Sequence, residues 1–188
     1  TDIPKNLIYK WSIDGKLSVW RKDSGAANGL FFDVKGNLLA CEGGRGRVTS
    51  ITPKGEVTVL ASKYDGKQFN KPNDLWIDPA GGIYFSDPVY GRFKVIQDGQ
   101  HVYYLSPDGK KITRVIDDMK KPNGIVGTPD GKILYVADHG GGKVYRYDIG
   151  KSGALSGKKQ FALVACDGMT VDNEGNVYLT EKTVLVYN

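Results

Sequence analysis

The stretch Asn123-Gly-Ile-Val-Gly-Thr128, Pro-Asp-Gly-Lys, Ile133-Leu-Tyr-Val-Ala-Asp138 decides the fold of this chain. It reads as a short apolar strand, a glycine turn and a second strand that ends on an acidic residue, which is the pattern of a β-hairpin. The same pattern recurs three more times, at 28–42, 73–87 and 167–181. Successive units begin 45, 50 and 44 residues apart, and we call their first residues the head residues: Asn28, Asn73, Asn123 and Asp167.

A second pair of strands is predicted between these units. The segments 7–20 and 102–116 each place Asp-Gly between two alternating apolar runs, which is a strong hairpin signal. Four strands in a period of about 40–50 residues are typical of one blade of a β-propeller. A β-sandwich or barrel is the alternative, but neither has a reason to repeat whole phrases of sequence. We therefore predict an all-β propeller.

The composition is that of a globular domain, with 40% hydrophobic and 25% charged residues among 188. The net charge of +5 raises the question of a nucleic-acid partner. We expect none, because the lysines sit mostly in turns and never form a run longer than two. We also expect no membrane partner, since no apolar run approaches the roughly 20 residues that a spanning helix needs. Two cysteines, Cys41 and Cys166, are too few to hold the fold together as a disulfide framework.

Both ends of the sequence fall inside the repeat pattern. Thr1-Asp2 aligns with Ser86-Asp87, and Asn188 falls within the third strand of the last unit. We therefore expect residues 1–188 to form a single propeller domain of about four blades that is incomplete at both ends. A cytoplasmic and a periplasmic location stay equally open, and the sequence does not indicate an oligomeric state.

Propeller geometry predicts that the head residues meet. The innermost strand of every blade starts on the same face of the disc, around the central channel, so the four head residues converge there. The second strands return to that face, which would bring the acidic residues at their ends to an outer ring: Glu42, Asp87, Asp138 and Glu181. Amide and carboxylate oxygens suit Ca²⁺ or Mg²⁺, and neutral amides favour calcium. The simpler interpretation of any one head residue is a local turn role.

Several phrases resemble the gluconolactonase, senescence marker protein and luciferin-regenerating enzyme family. The matching segments are 70–78 (NKPNDLWID), 84–91 (YFSDPVYG), 121–125 (KPNGI) and 167–172 (DGMTVD). The resemblance covers the whole chain. It implies a six-bladed β-propeller and a lactone hydrolase with one catalytic divalent cation at the channel mouth. Calcium is the expected ion, which Zn²⁺, Mn²⁺ or Mg²⁺ could replace.

The resemblance also implies roles for individual residues. Asn123 resembles a metal ligand, and Asp167 resembles the metal-bound carboxylate that also moves protons. Asn73 resembles a residue that binds either the metal or the substrate. Lys71 and Asp74 flank it as candidate substrate contacts, and the head residue Asn28 is a further candidate. The family's metal-binding glutamate lies in a Glu-Gly-Pro segment that would precede Thr1.

The expected reaction is attack of water on a small lactone or ester. Asp167 is the candidate base, with metal-bound water acting alone as the alternative. The insertion 87–93 is expected to form a lid or wall of the pocket, while His101 and His139 are expected to have packing or turn roles. A serine triad is disfavoured because no Gly-x-Ser-x-Gly occurs. Two other functions stay open, namely a metal-dependent esterase or organophosphate hydrolase and a non-catalytic binding propeller.

Overall fold

The computed structural model describes all residues 1–188, and its regular structure is almost entirely antiparallel β-sheet. The chain begins with a hairpin of β1 (Leu7–Trp11) and β2 (Leu17–Lys22). Blade I follows, with β3 (Ala27–Phe32), β4 (Leu38–Glu42), β5 (Arg47–Ile51) and β6 (Val57–Ala61). A short pair, β7 (Lys63–Tyr64) and β8 (Lys67–Gln68), then leads into blade II.

Three further sheets continue the series. Blade II contains β9 (Leu75–Ile77), β10 (Ile83–Asp87), β11 (His101–Leu105) and β12 (Ile112–Ile116). Blade III contains β13 (Pro122–Gly127), β14 (Ile133–Asp138), β15 (Lys143–Ile149) and β16 (Leu155–Ala162), with 3-10 helices at His139–Gly141 and Lys151–Gly153. Blade IV contains β17 (Met169–Val171), β18 (Val177–Thr180) and β19 (Val184–Tyr187). No helix here has the length and apolar character needed to cross a membrane.

The order of the strands confirms the predicted propeller. Within every blade each strand pairs with its neighbour in sequence. The first strands of the four blades are the innermost ones, because β3 contacts β9, β9 contacts β13 and β13 contacts β17. The hairpins predicted at 7–20 and 102–116 are β1–β2 and β11–β12. The chain is thus a segment of an all-β propeller, and the total of six blades rests on the family resemblance.

The core lies between the blades. Phe69, Phe85 and Tyr103 form an aromatic cluster between blades I and II, with ring centroids 5.0 to 5.6 Å apart. A larger apolar cluster joins blades II, III and IV and contains Trp76 and Leu134. Burying an aromatic or leucine side chain contributes about 1.5–3 kcal/mol. The faces of the blades therefore hold neighbouring blades in place, and this fixes where the innermost strands begin.

Two bulges occur where the innermost strands begin. The pairing of β3 with β4 shifts between Ala27 and Leu30, and that of β13 with β14 shifts between Pro122 and Ile125. Asn28-Gly29 and Asn123-Gly124 occupy these irregular positions. A β-bulge interrupts the ladder and can redirect a side chain, and bulges are common next to active sites. The first strands of blades I and III therefore begin with a head residue that lies outside the regular ladder.

Candidate functional site

The four head residues line one cavity, as the repeat pattern predicts. The cavity has a volume of about 400 Å³ and opens on the face where the innermost strands begin. Lys71 also lines it, together with Tyr90 and Phe93 from the insertion after β10. The full lining is Ile3, Ala26, Asn28, Gly43, Gly44, Lys71, Pro72, Asn73, Tyr90, Phe93, Asn123 and Asp167. The structure thus brings together residues from all four blades.

Larger cavities of about 710, 750 and 910 Å³ contain none of the head residues. The first is mostly apolar and lies between the β1–β2 hairpin and blade I. The other two are lined largely by the turns that join the paired strands at the opposite rim. Volume therefore does not single out the candidate site. We identify the site by its convergent polar side chains, since a binding pocket needs a few well-placed polar groups.

Glycine after the head residue lets neighbouring blades approach each other. A Cβ atom on Gly124 would lie 2.6 Å from the carbonyl oxygen of Asp167 and 3.1 Å from the Cα atom of Gly168. Gly29 donates its backbone N–H to the carbonyl oxygen of Asn73 at 2.7 Å. Close backbone packing of this kind excludes side chains. The glycine of each Asn-Gly pair therefore allows the head residues of adjacent blades to lie close together.

Asn123 and Asp167 contact each other directly. The Asn123 Nδ2 atom donates to Asp167 Oδ1 at 2.6 Å and to the Tyr90 hydroxyl at 2.7 Å. Asn123 is only 3% exposed, whereas Asp167 is an exposed residue. Burial raises the pKa of Tyr90 to about 12, against the lowering effect of its hydrogen bond with Asn123. Tyr90 is therefore a neutral phenol at the edge of the Asn123–Asp167 pair.

The remaining predicted ligands have free side chains. The amides of Asn28 and Asn73 form no hydrogen bond with the protein, although both residues use backbone atoms to join neighbouring segments. Lys71 places its Nζ atom 3.5 Å from the centroid of the Phe93 ring, which is a cation–π contact at the cavity wall. Amide groups, one carboxylate and one ammonium group therefore face the cavity without protein partners for most of their polar atoms.

We expected Asp74 to contact substrate, but it is not among the residues that line the cavity. Its Oδ2 atom accepts the N–H of Ile125 from blade III at 3.1 Å, and its Oδ1 atom accepts the N–H of Leu75 at 3.0 Å. Burial raises the pKa of Asp74 to about 6, and the nearby charge of Asp167 also raises it. Both oxygens of Asp74 are thus engaged, and Oδ2 links the innermost strands of blades II and III.

The acidic residues at the ends of the second strands do not form the open ring that we expected. Asp87 is fully buried and accepts the backbone N–H groups of Asn70 and Lys71, at 2.9 and 2.8 Å. Asp138 is buried and accepts three backbone N–H groups. Glu42, also buried, is bound by Arg47, Arg45 and Thr49. Only Glu181 of this set is exposed. Burying a charged group is costly unless it is paired and hydrogen-bonded, which explains why each of these buried carboxylates has several partners.

The insertion after β10 forms a wall of the cavity, as the sequence predicts, through Tyr90 and Phe93. Neither histidine lines the cavity. His101 begins β11 and lies 3.0 Å from Asp98 Oδ1, and His139 belongs to a short 3-10 helix with its ring centroid 5.9 Å from that of Tyr90. The hydrogen bond between Tyr90 and Asn123 was not predicted, because no sequence pattern relates two residues on different blades.

The donor set fits a hard divalent cation. No group of three or more His, Cys, Asp or Glu side chains is present that could hold a metal ion. Any cation in this cavity would depend on amide oxygens together with one carboxylate. The Asn123 amide donates its two hydrogen atoms to Asp167 and Tyr90, so its oxygen is the atom without a protein partner. Oxygen donors that include neutral amides suit Ca²⁺ better than softer metals.

Fold and cavity together define a class: a β-propeller with a polar, oxygen-lined cavity where the innermost strands begin. The model of the family described as SMP-30/Gluconolactonase/LRE-like region matches residues 1–187. The chain therefore belongs to this family.

Individual relatives agree with this assignment. A gluconolactonase of Zymomonas mobilis subsp. mobilis is 27% identical over 211 residues, which cover 95% of this chain and 59% of the relative. The solved structure of a gluconolactonase from Xanthomonas campestris is 30% identical, with a TM-score of 0.92, and the match covers 100% of this chain and 67% of that one. Regucalcin from Agrobacterium tumefaciens, described as a calcium-binding protein, shares the fold at 20% identity and a TM-score of 0.78, covering 99% of this chain and 64% of that one.

Proposed function

We propose that the protein hydrolyses a small lactone in this cavity, with calcium as its cofactor. The observation that carries the proposal is the convergence of Asn73, Asn123 and Asp167 on one cavity, where most of their side-chain oxygens have no protein partner. Family membership supports it, since the Zymomonas relative is named a gluconolactonase. The chain spans 59% of the length of that relative. Lactone hydrolysis is therefore our proposal for the activity of the whole protein.

Asn73, Asn123 and Asp167 would hold the cation. When bound, a divalent cation supplies Lewis-acid polarisation of the lactone carbonyl and stabilises negative charge on its oxygen. The calcium-binding protein regucalcin has the same fold, but at 20% identity this likeness concerns the fold alone. The calcium proposal rests on the oxygen donors of this chain. The amides would contribute neutral ligands, and Asp167 would contribute the negative charge.

Asp167 is the proposed general base. It is exposed to the cavity, and only one of its oxygens is engaged, by Asn123. It would accept a proton from the water whose oxygen bonds to the carbonyl carbon. The bond between that carbon and the ring oxygen then breaks, and Asp167 returns the proton to the ring oxygen. Lactone and water thus become one hydroxy acid, with atoms and charge balanced.

The rest of the lining would bind and orient the substrate. Asn28 has a free amide, and the Lys71 ammonium group, which has no hydrogen-bond partner, lies against the Phe93 ring at the cavity wall. Holding the reactants in one geometry can lower a barrier by several kcal/mol. We assign Asp74 to the support of this set, since it fixes the innermost strands of blades II and III through Leu75 and Ile125.

The test combines Ca²⁺ titration by calorimetry with hydrolysis of glucono-1,5-lactone in a pH-stat. It uses the 188-residue chain and the longest native form of the protein. We expect the variant Asp167→Ala to lose Ca²⁺ binding and turnover, because both depend on the same carboxylate. The matched control is Asp172→Ala, which removes a carboxylate of the same blade at the opposite end of β17.

Each outcome separates the candidate functions. Lactone turnover that disappears in Asp167→Ala and persists in Asp172→Ala supports the proposal. Turnover of p-nitrophenyl esters or paraoxon without any lactone turnover would show that the substrate is another ester and not a lactone. Equal Ca²⁺ affinity in the parent protein, Asp167→Ala and Asp172→Ala would show that Asp167 is not a metal ligand. If the longest native form neither binds Ca²⁺ nor hydrolyses lactone, the enzyme proposal is wrong.

A further inference from the structure

Tyr90 is held at the cavity by an anchored loop. The loop at 88–100 joins β10 to β11. Next to Tyr90, the backbone N–H of Val89 donates to Gln100 Oε1 at 2.6 Å, and Gln100 Nε2 donates to the carbonyl oxygen of Lys120 in the approach to β13. At the other end of the loop, Asn70 Oδ1 accepts two backbone N–H groups. These bonds connect the position of Tyr90 to both blade II and blade III.

The contacts of Asn123 with Asp167 and Tyr90 together determine which atom of the amide is left for a ligand. A carboxylate can only accept hydrogen bonds, so Asn123 must turn its nitrogen toward Asp167. The Tyr90 hydroxyl accepts the second hydrogen of the same nitrogen at 2.7 Å. With both hydrogens engaged, the Asn123 oxygen is the atom left for a ligand. Asp167 would share its oxygens with cation and substrate, whereas Tyr90 has Asn123 as its one side-chain hydrogen-bond partner.

We propose that Tyr90 is a positioning residue: its hydroxyl fixes the Asn123 amide so that the amide oxygen would be available to a bound cation. This inference rests on the proposed function of the cavity. Groups that orient metal ligands typically change metal affinity or activity about 10- to 100-fold when they are removed. Tyr90 would act through Asn123 and not by contact with the reacting atoms.

A purely structural role of Tyr90 makes a different prediction. The phenol ring lies with its centroid 5.9 Å from that of His139 and 4.8 Å from the Lys121 Nζ atom. The variant Tyr90→Phe keeps the ring and these contacts and removes only the hydroxyl. If Tyr90 serves only as packing, this variant will behave like the parent protein.

The experiment compares Tyr90→Phe with Tyr104→Phe in the longest native form of the protein. Tyr104 is a matched control because its hydroxyl also makes one hydrogen bond, to Asp78 at 2.8 Å, and it lines a different cavity. We expect Tyr90→Phe to weaken Ca²⁺ binding by about 10-fold or more, as measured by calorimetry with CaCl₂ alone. Tyr104→Phe should leave the Ca²⁺ affinity unchanged. Circular dichroism at the temperature of the titration checks that each variant is folded.

A second measurement needs no metal ion. In the ¹H–¹⁵N spectrum, the Asn123 side-chain amide can be assigned as the pair of signals that disappears in Asn123→Ala. We expect one of its two protons to shift and to exchange faster with water in Tyr90→Phe, and neither to change in Tyr104→Phe.

The two measurements distinguish a failure of the role proposed for Tyr90 from a failure of the proposed function. An unchanged amide signal together with unchanged Ca²⁺ affinity in Tyr90→Phe would overturn the role of Tyr90 and leave the proposed function intact. A parent protein that binds no Ca²⁺ would contradict the proposed cofactor, and the amide spectrum would still decide whether Tyr90 orients Asn123. A lower kcat with unchanged KM in Tyr90→Phe would support the proposal, because a displaced ligand affects the chemical step.

Discussion

Three of the head residues and two of the acidic residues at the ends of the second strands lie on the same face of the propeller, yet the two groups have opposite surroundings. Asn28 and Asn73 have side chains without protein partners, and Asp167 is exposed. Asp87 and Asp138 are buried, and every oxygen of their carboxylates accepts a backbone N–H group. Similar chemical groups a short distance apart are therefore open to the cavity in one case and bound to the backbone in the other.

The difference follows from what each strand end meets. Asp87 accepts the N–H groups of residues 70 and 71, and Asp138 accepts those of residues 120 and 121. In both blades these N–H groups belong to the third and second residues before the head residue, Asn73 or Asn123. The second-strand acid thus fixes the approach to the innermost strand. The head residue follows this support and lines the cavity, where no backbone N–H group donates to its side chain.

The largest effect is expected from removing a buried acid. We expect Asp138→Ala to lower the free energy of unfolding by about 3 kcal/mol, because it leaves the N–H groups of Lys120, Lys121 and Gly141 without their acceptor. Urea denaturation measures the change. Asp138→Asn serves as the comparison, since it keeps one accepting oxygen, and we expect a smaller loss. A loss below about 0.5 kcal/mol in Asp138→Ala would contradict the architectural role.

An effect of intermediate size is expected from pH. Burial raises the pKa of Asp87 to about 7, so between pH 5 and 7 the folded protein holds a proton that the unfolded chain has released. Stability from this group is therefore present at low pH and is lost as the pH rises through about 7. The slope for one carboxylate is at most about 1.4 kcal/mol per pH unit. Urea midpoints from pH 5 to 8 measure it.

The comparison protein for the pH experiment is Asp87→Asn. Its side chain does not titrate, so the slope of stability between pH 5 and 7 should become flatter than in the parent protein. The exposed acids Asp98 and Asp130, whose pKa values are lowered by hydrogen bonds, are already ionised in this range. An identical slope in both proteins would show that Asp87 is ionised throughout.

The smallest effect on stability is expected at a head residue. Asn73→Ala removes an amide that has no protein partner, so we expect the free energy of unfolding to change by less than about 0.5 kcal/mol. Under the proposed function the same variant should bind Ca²⁺ or lactone more weakly, as measured by calorimetry and by KM. A large loss of stability would show that the head residue supports the fold. It would contradict the expected difference in stability effect between Asn73 and Asp138.

Sequence reasoning predicted the site as far as its signals were local or periodic. The four head residues recur with the blade period, so their convergence on one cavity follows from the repeat alone. The wall formed by Tyr90 and Phe93 was predicted from the length of the insertion after β10. The fate of Asp87 and Asp74 was not predicted, because partners on other segments decide whether a carboxylate is free or engaged.

The sequence by itself determined the all-β fold, the blade period and the identity of the head residues. Turn residues and alternating apolar positions act over a few residues, and repetition carries their meaning through the chain. Only the tertiary structure decided which oxygens are free. Hydrogen bonds such as those from Asn123 to Tyr90 and Asp167 join residues 33 and 44 positions apart on different blades. Their geometry depends on how the blades pack, and packing is a property of the folded molecule that no single segment contains.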